Sequence, residues 1–150
     1  WKGDPKKSFG IETNIGIHFF DMLHFLFGPL KRLELHLSDN VRAGGHLEYE
    51  RASVRWFLSI NRSDVYEVTG NDKPTYRSIK VDGEEIEFSD GFTDLHTASY
   101  QKILAGSGFG IEDARHCIET VEVMRGKMPV DVRSNDHISH AVKLFMGGPK

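Results

Sequence analysis

A line of polar residues runs through the most apolar stretch of the sequence. Asn14 and His18 are four residues apart and Asp21 follows three later, so on a helix the three side chains share one face. An imidazole placed there can take a proton from a hydroxyl group while hydride leaves the same carbon. Asp21 could orient the imidazole or tie the helix to its neighbours. Gly16, in the first turn, leaves space for another group to approach the backbone.

These residues also have plainer explanations. A histidine on a buried helix is often a hydrogen-bonded core residue, and an aspartate beside it is often a structural anchor. The residues alone therefore leave two interpretations open, a dehydrogenation site and a satisfied polar core.

The elements that would position this polar line are an apolar helix and the strands that follow it. The sequence predicts a helix over residues 14–27, stopped by Gly28-Pro29. Because it is apolar on most sides, we expect it to be buried on most sides. Alternating apolar and polar residues predict strands over residues 33–37, 45–50 and 54–60. The last of these strands directs its apolar residues to one face, and Phe57 points to the other.

The remaining segments complete the predicted fold. Residues 61–74 are loop-rich, and Asp82-Gly83 predicts a hairpin between strands over residues 76–81 and 85–88. Helices are expected over residues 93–104, 111–124 and 135–145. This order predicts an α+β fold, an open and largely antiparallel β-sheet with helices on one face. Phe57, on the uncovered face, suggests association between sheets, and hence a homodimer or homotetramer.

Composition narrows the class of protein. The 150 residues fit one domain, with a net charge of −3 and no basic stripe, so a nucleic-acid partner is not expected. No apolar run is long enough to cross a membrane. A single cysteine, Cys117, gives no disulfide framework and suggests the cytoplasm. The chain opens at Trp1 without a methionine, which suggests a fragment of a longer protein.

No metal site is predicted from the sequence. His137 and His140 have a spacing compatible with metal ligands on a helix, but no third ligand is evident. His116 and Cys117 are adjacent and are expected to point to different faces, with Cys117 a small buried hydrophobe. The glycine-rich residues 106–110 join two predicted helices, so we interpret them as a turn and not as a phosphate cradle.

Two motifs carry a family resemblance. Gly16-x-His18-x-x-Asp21, and the later run from Gly110 to His116 that opens a helix, resemble the C-terminal domain of the glucose–fructose oxidoreductase/inositol dehydrogenase (Gfo/Idh/MocA) family. In that family the N-terminal half is a Rossmann domain, and the C-terminal half binds substrate and makes subunit contacts. The resemblance implies that residues 1–150 form the substrate-binding and oligomerisation domain. It also implies that NAD, with NADP as the alternative, is bound mainly by an N-terminal domain absent from this sequence.

Further segments narrow the resemblance to dehydrogenases of UDP-N-acetyl-2-amino-2-deoxyglucuronate, the WbpB/WlbA type. The segments are Trp1 to Pro5, Ser8 to Gly10, Asn14 to Phe19, Leu47 to Glu50, Val54 to Ser59 and Gly91 to His96. Such enzymes use NAD to oxidise the 3-hydroxyl of a nucleotide sugar in lipopolysaccharide O-antigen biosynthesis. The substrate implied here is a nucleotide sugar like UDP-N-acetylglucosaminuronic acid.

The resemblance also assigns roles. His18 matches the catalytic histidine, whose lysine partner would lie in a Glu-Lys-Pro motif of the N-terminal domain. Many members carry Asp where this sequence has Asn14, which cannot accept a proton, so Asn14 is expected to contact a hydroxyl or orient the ring. Lys2 is the expected cation near the diphosphate or carboxylate. Gly16 is expected to contact the substrate, and Asp21 is expected to be structural or orienting.

Two other classes of function stay open. The chain could be a non-catalytic sugar-binding or oligomerisation module, which would lack the upstream dinucleotide-binding fingerprint. It could also be a small metal-dependent enzyme, which would contain stoichiometric zinc.

Overall fold

The computed structural model describes residues 10–91, 93–130 and 137–146. These ranges contain the helices α1 (Ile17–Phe27), α2 (Ser63–Thr69), α3 (Leu95–Leu104), α4 (Ile111–Arg125) and α5 (His140–Met146), and the strands β1 (Leu30–Ser38), β2 (Arg42–Tyr49), β3 (Ser53–Ser59), β4 (Ser78–Val81) and β5 (Glu84–Glu87). A π-helical segment, Glu12–Gly16, runs directly into α1. The chain divides into two compact units, one comprising Trp1–Asn61 with Ala114–Lys150 and the other Arg62–Asp113.

The first unit is built on an antiparallel sheet in the order β1-β2-β3. Leu33 lies opposite Leu47, which in turn lies opposite Val54. Because side chains alternate between the faces of a sheet, one face is almost entirely apolar. Helices α1 and α4 pack on that face, and the core includes Phe20, Leu23, Leu33, Leu35, Leu47, Trp56, Val121 and Met124. The predicted α+β class with an antiparallel sheet is confirmed.

The opposite face of the sheet is partly covered as well. Phe57 and Leu37 pack against Ile138 and Val142, and the rings of Phe57 and Phe145 stack at 5.3 Å. Helix α5 therefore covers part of the face that was predicted to be uncovered, and helices lie on both faces of the sheet. Phe57 therefore has a packing partner within its own chain, and sheet-to-sheet association stays a prediction.

Two glycines of β2 allow neighbouring elements to approach this strand closely, α5 at Gly44 and β1 at Gly45. A Cβ on Gly44 would collide with Val142 of α5 and would lie 3.0 Å from the carbonyl oxygen of Trp56. A Cβ on Gly45 would collide with the carbonyl oxygen of Glu34 on β1. The docking of α5 and the local spacing of β1 and β2 therefore both require glycine.

The predicted helix boundaries hold where a glycine ends a helix. Helix α1 ends at Phe27, and Gly28, with φ of 83°, donates its N–H to the carbonyl of His24 at 2.8 Å. The predicted start at residue 14 was wrong, since helical structure begins earlier, with the π-helical segment Glu12–Gly16. Helix α5 begins at His140, later than predicted, and residues 135 and 136 lie outside the described ranges.

The second unit contains a hairpin and the short helix α2. Strands β4 and β5 pair antiparallel around Asp82 and Gly83, both at positive φ, which confirms the predicted two-residue turn. Helix α2 lies in the segment expected to be loop, and it ends at Gly70 with φ of 69°. Within the described residues, no helix has the length and apolar character needed to span a membrane.

Candidate functional site

The π-helical segment brings the start of α1 against the sheet. Gly16 is buried, and a Cβ there would lie 2.7 Å from Cε2 of Phe20 and 3.2 Å from Cδ1 of Leu58 on β3. The side chain of Glu12 accepts a hydrogen bond from Ser38 at 2.8 Å, at the end of β1. The space beside Gly16 is therefore filled by the protein's own core. A role for Gly16 beside substrate stays a prediction.

Asn14 and His18 occupy different environments. Asn14 is half-buried, and its Nδ2 is shielded from solvent with no hydrogen-bond partner among the described residues. His18, four residues later, is exposed. Buried amide donors are almost always paired, so a free one needs an explanation. π-helical turns are rare and are frequent at functional sites.

Helix α1 buries only one side. Phe20 and Leu23 enter the core, whereas His18 and Asp21 are exposed and Phe25 is 84% exposed. The expectation that this helix is buried on most sides was wrong. An amphipathic pattern could not have revealed this, because the exposed residues include the apolar Phe25 and Leu26. His18 and Asp21 are therefore accessible from outside the domain, whereas Asn14 is half-buried.

Asp21 connects α1 to α4. Its Oδ1 accepts a hydrogen bond from Nε2 of His116 at 2.8 Å. The ring of His116 stacks on that of His24, with 3.7 Å between centroids and 17° between planes. Burial and the neighbouring His116 lower the pKa of His24, and Asp21 opposes that shift. Two helices distant in sequence are thus joined by one carboxylate and two imidazoles.

Cys117 lies beside this pair. Its Sγ donates to the carbonyl of Ala114 at 3.0 Å, and burial raises the pKa of its thiol. The predicted burial of Cys117 is confirmed. The expectation that His116 and Cys117 diverge was wrong, since their donor atoms and an oxygen of Asp21 all lie within 4.8 Å of one another. The sequence offered no signal for this convergence, because Asp21 is remote along the chain.

A second group of histidines lies on the other face of the sheet. Nε2 of His46 is 2.7 Å from Oγ of Ser53, and the ring of His137 is 4.5 Å from that of His46. Burial lowers the pKa of His46, and His137 adds to this effect. His137 lies ahead of α5 and His140 within it, so the expectation that both lie on one helix was wrong.

One predicted site residue is outside the described ranges. Lys2 belongs to residues 1–9, as do Trp1, Lys6 and Lys7. A contact between Lys2 and substrate therefore stays a prediction.

Comparison with known proteins defines the class. Residues 1–69 match a family model described as the oxidoreductase family, C-terminal alpha/beta domain. The WlbA (WbpB) dehydrogenase from Thermus thermophilus in complex with NAD and UDP-GlcNAcA is 50% identical, with a TM-score of 0.78 over 87% of this chain and 42% of that chain. The same dehydrogenase with NAD and alpha-ketoglutarate is 49% identical, with a TM-score of 0.80 over 92% and 45%.

The fold and these matches define an oxidoreductase C-terminal domain. The family resemblance that the motifs predicted is confirmed, because residues 1–69 match the C-terminal domain of this oxidoreductase family and the chain is similar to the WlbA (WbpB) dehydrogenases. It spans less than half the length of the two solved chains that it matches.

Proposed function

We propose that this chain is the substrate-binding half of an NAD-dependent dehydrogenase that oxidises the 3-hydroxyl of a nucleotide sugar like UDP-N-acetylglucosaminuronic acid. The observation that carries the proposal is the 50% identity, over most of the chain, to a dehydrogenase in complex with NAD and UDP-GlcNAcA. The exposure of His18 on α1 supports it independently. The biological setting that we propose is lipopolysaccharide O-antigen biosynthesis in the cytoplasm.

His18 is the proposed base. It stands on an exposed face of a helix whose other side is anchored by Phe20 and Leu23 in the core. A substrate hydroxyl placed against this face can transfer its proton to a nitrogen of the imidazole while the carbon loses hydride. Anchoring the helix in the core limits the movement of the base, which favours catalysis by orientation.

Asn14 is the proposed substrate contact. Its buried Nδ2 is a donor without a partner in the described part of the chain, and a sugar hydroxyl or carbonyl oxygen is a suitable acceptor. Because an amide does not take up a proton, Asn14 would position the substrate and leave proton transfer to His18. Lys2 and Gly16 complete the proposed contacts.

The described residues do not fit the dinucleotide itself. The described strands pair antiparallel, and the glycine-rich residues 106–110 join α3 to α4, so no strand–glycine loop–helix unit is present in these ranges. We therefore assign the binding of NAD, or NADP as the alternative, mainly to a dinucleotide-binding domain outside this chain. That cofactor would supply the hydride acceptor. We expect the fragment alone to be inactive.

A homodimer or homotetramer that forms through the sheet is the proposed assembly. Because Phe57 packs against α5, the support for this assembly is the family resemblance. Light scattering coupled to size-exclusion chromatography should give a dimer or a tetramer. A monomer at high concentration would contradict this assembly.

Ligand discrimination tests the proposed substrate class. Titration calorimetry would use the protein that carries this chain together with its dinucleotide-binding domain, saturated with NADH. We expect UDP-GlcNAcA to bind at least about tenfold more tightly than UDP-N-acetylglucosamine, which lacks the carboxylate. Asn14→Ala should weaken binding of UDP-GlcNAcA by about tenfold. Equal affinity for the two nucleotide sugars would contradict the assignment to a uronate.

A further inference from the structure

We propose that Asp21, His116 and Cys117 form a binding site for a zinc-class divalent cation between α1 and α4. This site is independent of the proposed dehydrogenase function. It revises the sequence prediction of no metal site, which lacked a third donor.

The three donors are of the types that zinc binds. Zn²⁺ takes thiolate sulfur, imidazole nitrogen and carboxylate oxygen, with bonds of about 2.0–2.3 Å. Donors around one tetrahedral ion then lie roughly 3.3–3.8 Å apart. Here one atom from each residue lies within 4.8 Å of the other two, and Oδ1 of Asp21 lies 2.8 Å from Nε2 of His116. Side-chain rotation of about 1 Å would therefore bring the three to ligand distances.

The burial of the three residues is graded from the interior to the surface. Cys117 is 5% exposed, while the side chains of His116 and Asp21 are 26% and 57% exposed. An ion can therefore enter from the side of Asp21 and meet a buried sulfur at the bottom. Three protein ligands and one open position facing solvent are typical of zinc sites that keep a water molecule.

The surroundings hold His116 in place. Its ring stacks on that of His24 with 17° between their planes. Because a metal lies near the plane of the imidazole that binds it, two parallel rings 3.7 Å apart cannot both bind the same ion. His24 therefore supports the orientation of the ligand ring and is not itself a ligand. The His116 carbonyl accepts a hydrogen bond from Thr120 at 2.8 Å, within α4.

Binding is a proton-coupled exchange. The thiol of Cys117 loses its proton to solvent as the sulfur–metal bond forms. Nε2 of His116, which donates to Asp21 in the absence of the ion, gives up its proton through solvent, and the neutral ring that binds the ion carries its proton on Nδ1. The hydrogen bond between His116 and Asp21 is then replaced by two metal bonds. A thiolate and a carboxylate then neutralise the two charges of the ion. No oxidant or reductant takes part.

Cobalt substitution tests the site directly. Co²⁺ would be titrated into the 150-residue chain, with circular dichroism as a check on folding. Cys117 is the only cysteine, so a thiolate-to-cobalt charge-transfer band can come only from this site. We expect one Co²⁺ per chain, bound with that band and displaced by Zn²⁺. Cys117→Ser should abolish the band, and Asp21→Asn and His116→Gln should each weaken binding at least about tenfold.

The matched control is His96→Gln, which removes an exposed histidine outside the cluster and should leave both the band and the affinity unchanged. Cobalt binding without the band would overturn the proposal. So would a band whose affinity Asp21→Asn and His116→Gln leave unaltered, or no saturable binding at micromolar concentrations. If Cys117→Ser does not fold, the band of the unmodified chain and its response to Asp21→Asn, at an exposed position, still decide the question.

Discussion

Oδ1 of Asp21 lies 2.8 Å from Nε2 of His116, and this hydrogen bond joins α1 to α4 across 95 positions of sequence. The same helix presents His18 three residues earlier. The contact therefore holds the helix that carries the proposed base against its neighbour. Both side chains are partly exposed, so the free energy of this bond is small.

Breaking this contact should cost little stability. We expect Asp21→Asn to lower the free energy of unfolding by about 0.2–1 kcal/mol, because solvent screens the pair. Urea denaturation of the chain without added metal would measure the change. A loss above about 3 kcal/mol would instead be the behaviour of a buried pair.

The core between α1 and the sheet should depend on Phe20. Its ring is 2% exposed and meets Trp56 edge to face at 5.3 Å. Phe20→Ala should lower the free energy of unfolding by about 3–5 kcal/mol because it leaves a cavity. Phe25→Ala removes the same ring from an exposed position of the same helix and should change it by less than about 0.5 kcal/mol. Similar losses in the two variants would contradict the packing described here.

The docking of α5 should depend on Gly44. A methyl group at that position meets Val142 and the carbonyl oxygen of Trp56, so Gly44→Ala should cost about 1–3 kcal/mol. The control is Gly126→Ala, where the nearest atom outside the chain neighbours, the carbonyl oxygen of Val123, is 3.7 Å away. That variant should be neutral or slightly stabilising. Thermal unfolding would separate the two, and an unaffected Gly44→Ala would place α5 elsewhere.

Stability should fall on acidification through His46. Burial and His137 lower its pKa below the ordinary value of 6.5, while Glu34 and Glu48 act in the opposite sense. The unfolded chain then binds more protons than the folded chain, so the stabilising effect is present above about pH 6.5 and is lost below it. The urea midpoint should therefore decrease as the pH falls through that value.

Two variants test whether His46 is the source of this pH dependence. His46→Gln removes the titrating group and keeps an amide that can bond to Ser53, so it should make the decrease shallower. His96→Gln, at an exposed position, should retain the full decrease. The interpretation would be wrong if both variants behaved like the unmodified chain.

Local patterns predicted much of the fold. Strand β3 follows the alternation of Val54 and Trp56, whose apolar side chains meet the core. The C-terminal end of α1 and the β4–β5 turn follow from Gly28 and from Asp82-Gly83. Each of these features depends on residues close together in the sequence or on the backbone freedom of a glycine, so local patterns are enough to predict it.

Features that depend on tertiary contact could not be predicted in the same way. Which apolar side of α1 is buried depends on the sheet, so the exposure of Phe25 was missed. The partner of Phe57 lies in α5, and the third donor beside His116 and Cys117 lies in α1. The α2 helix was missed because a seven-residue segment carries little periodic signal.

The most direct test of the central claim is NADH formation from UDP-GlcNAcA by the protein that joins this chain to its dinucleotide-binding domain. The assay would include 2-oxoglutarate, in case bound cofactor must be recycled, and would compare the unmodified protein with His18→Asn and the His96→Gln control. We predict turnover that falls by about 10²–10⁴-fold in His18→Asn, with folding and the control unchanged. Undiminished activity in His18→Asn would contradict the role of His18, and no turnover in the unmodified protein would contradict the substrate and favour a non-catalytic sugar-binding or oligomerisation module.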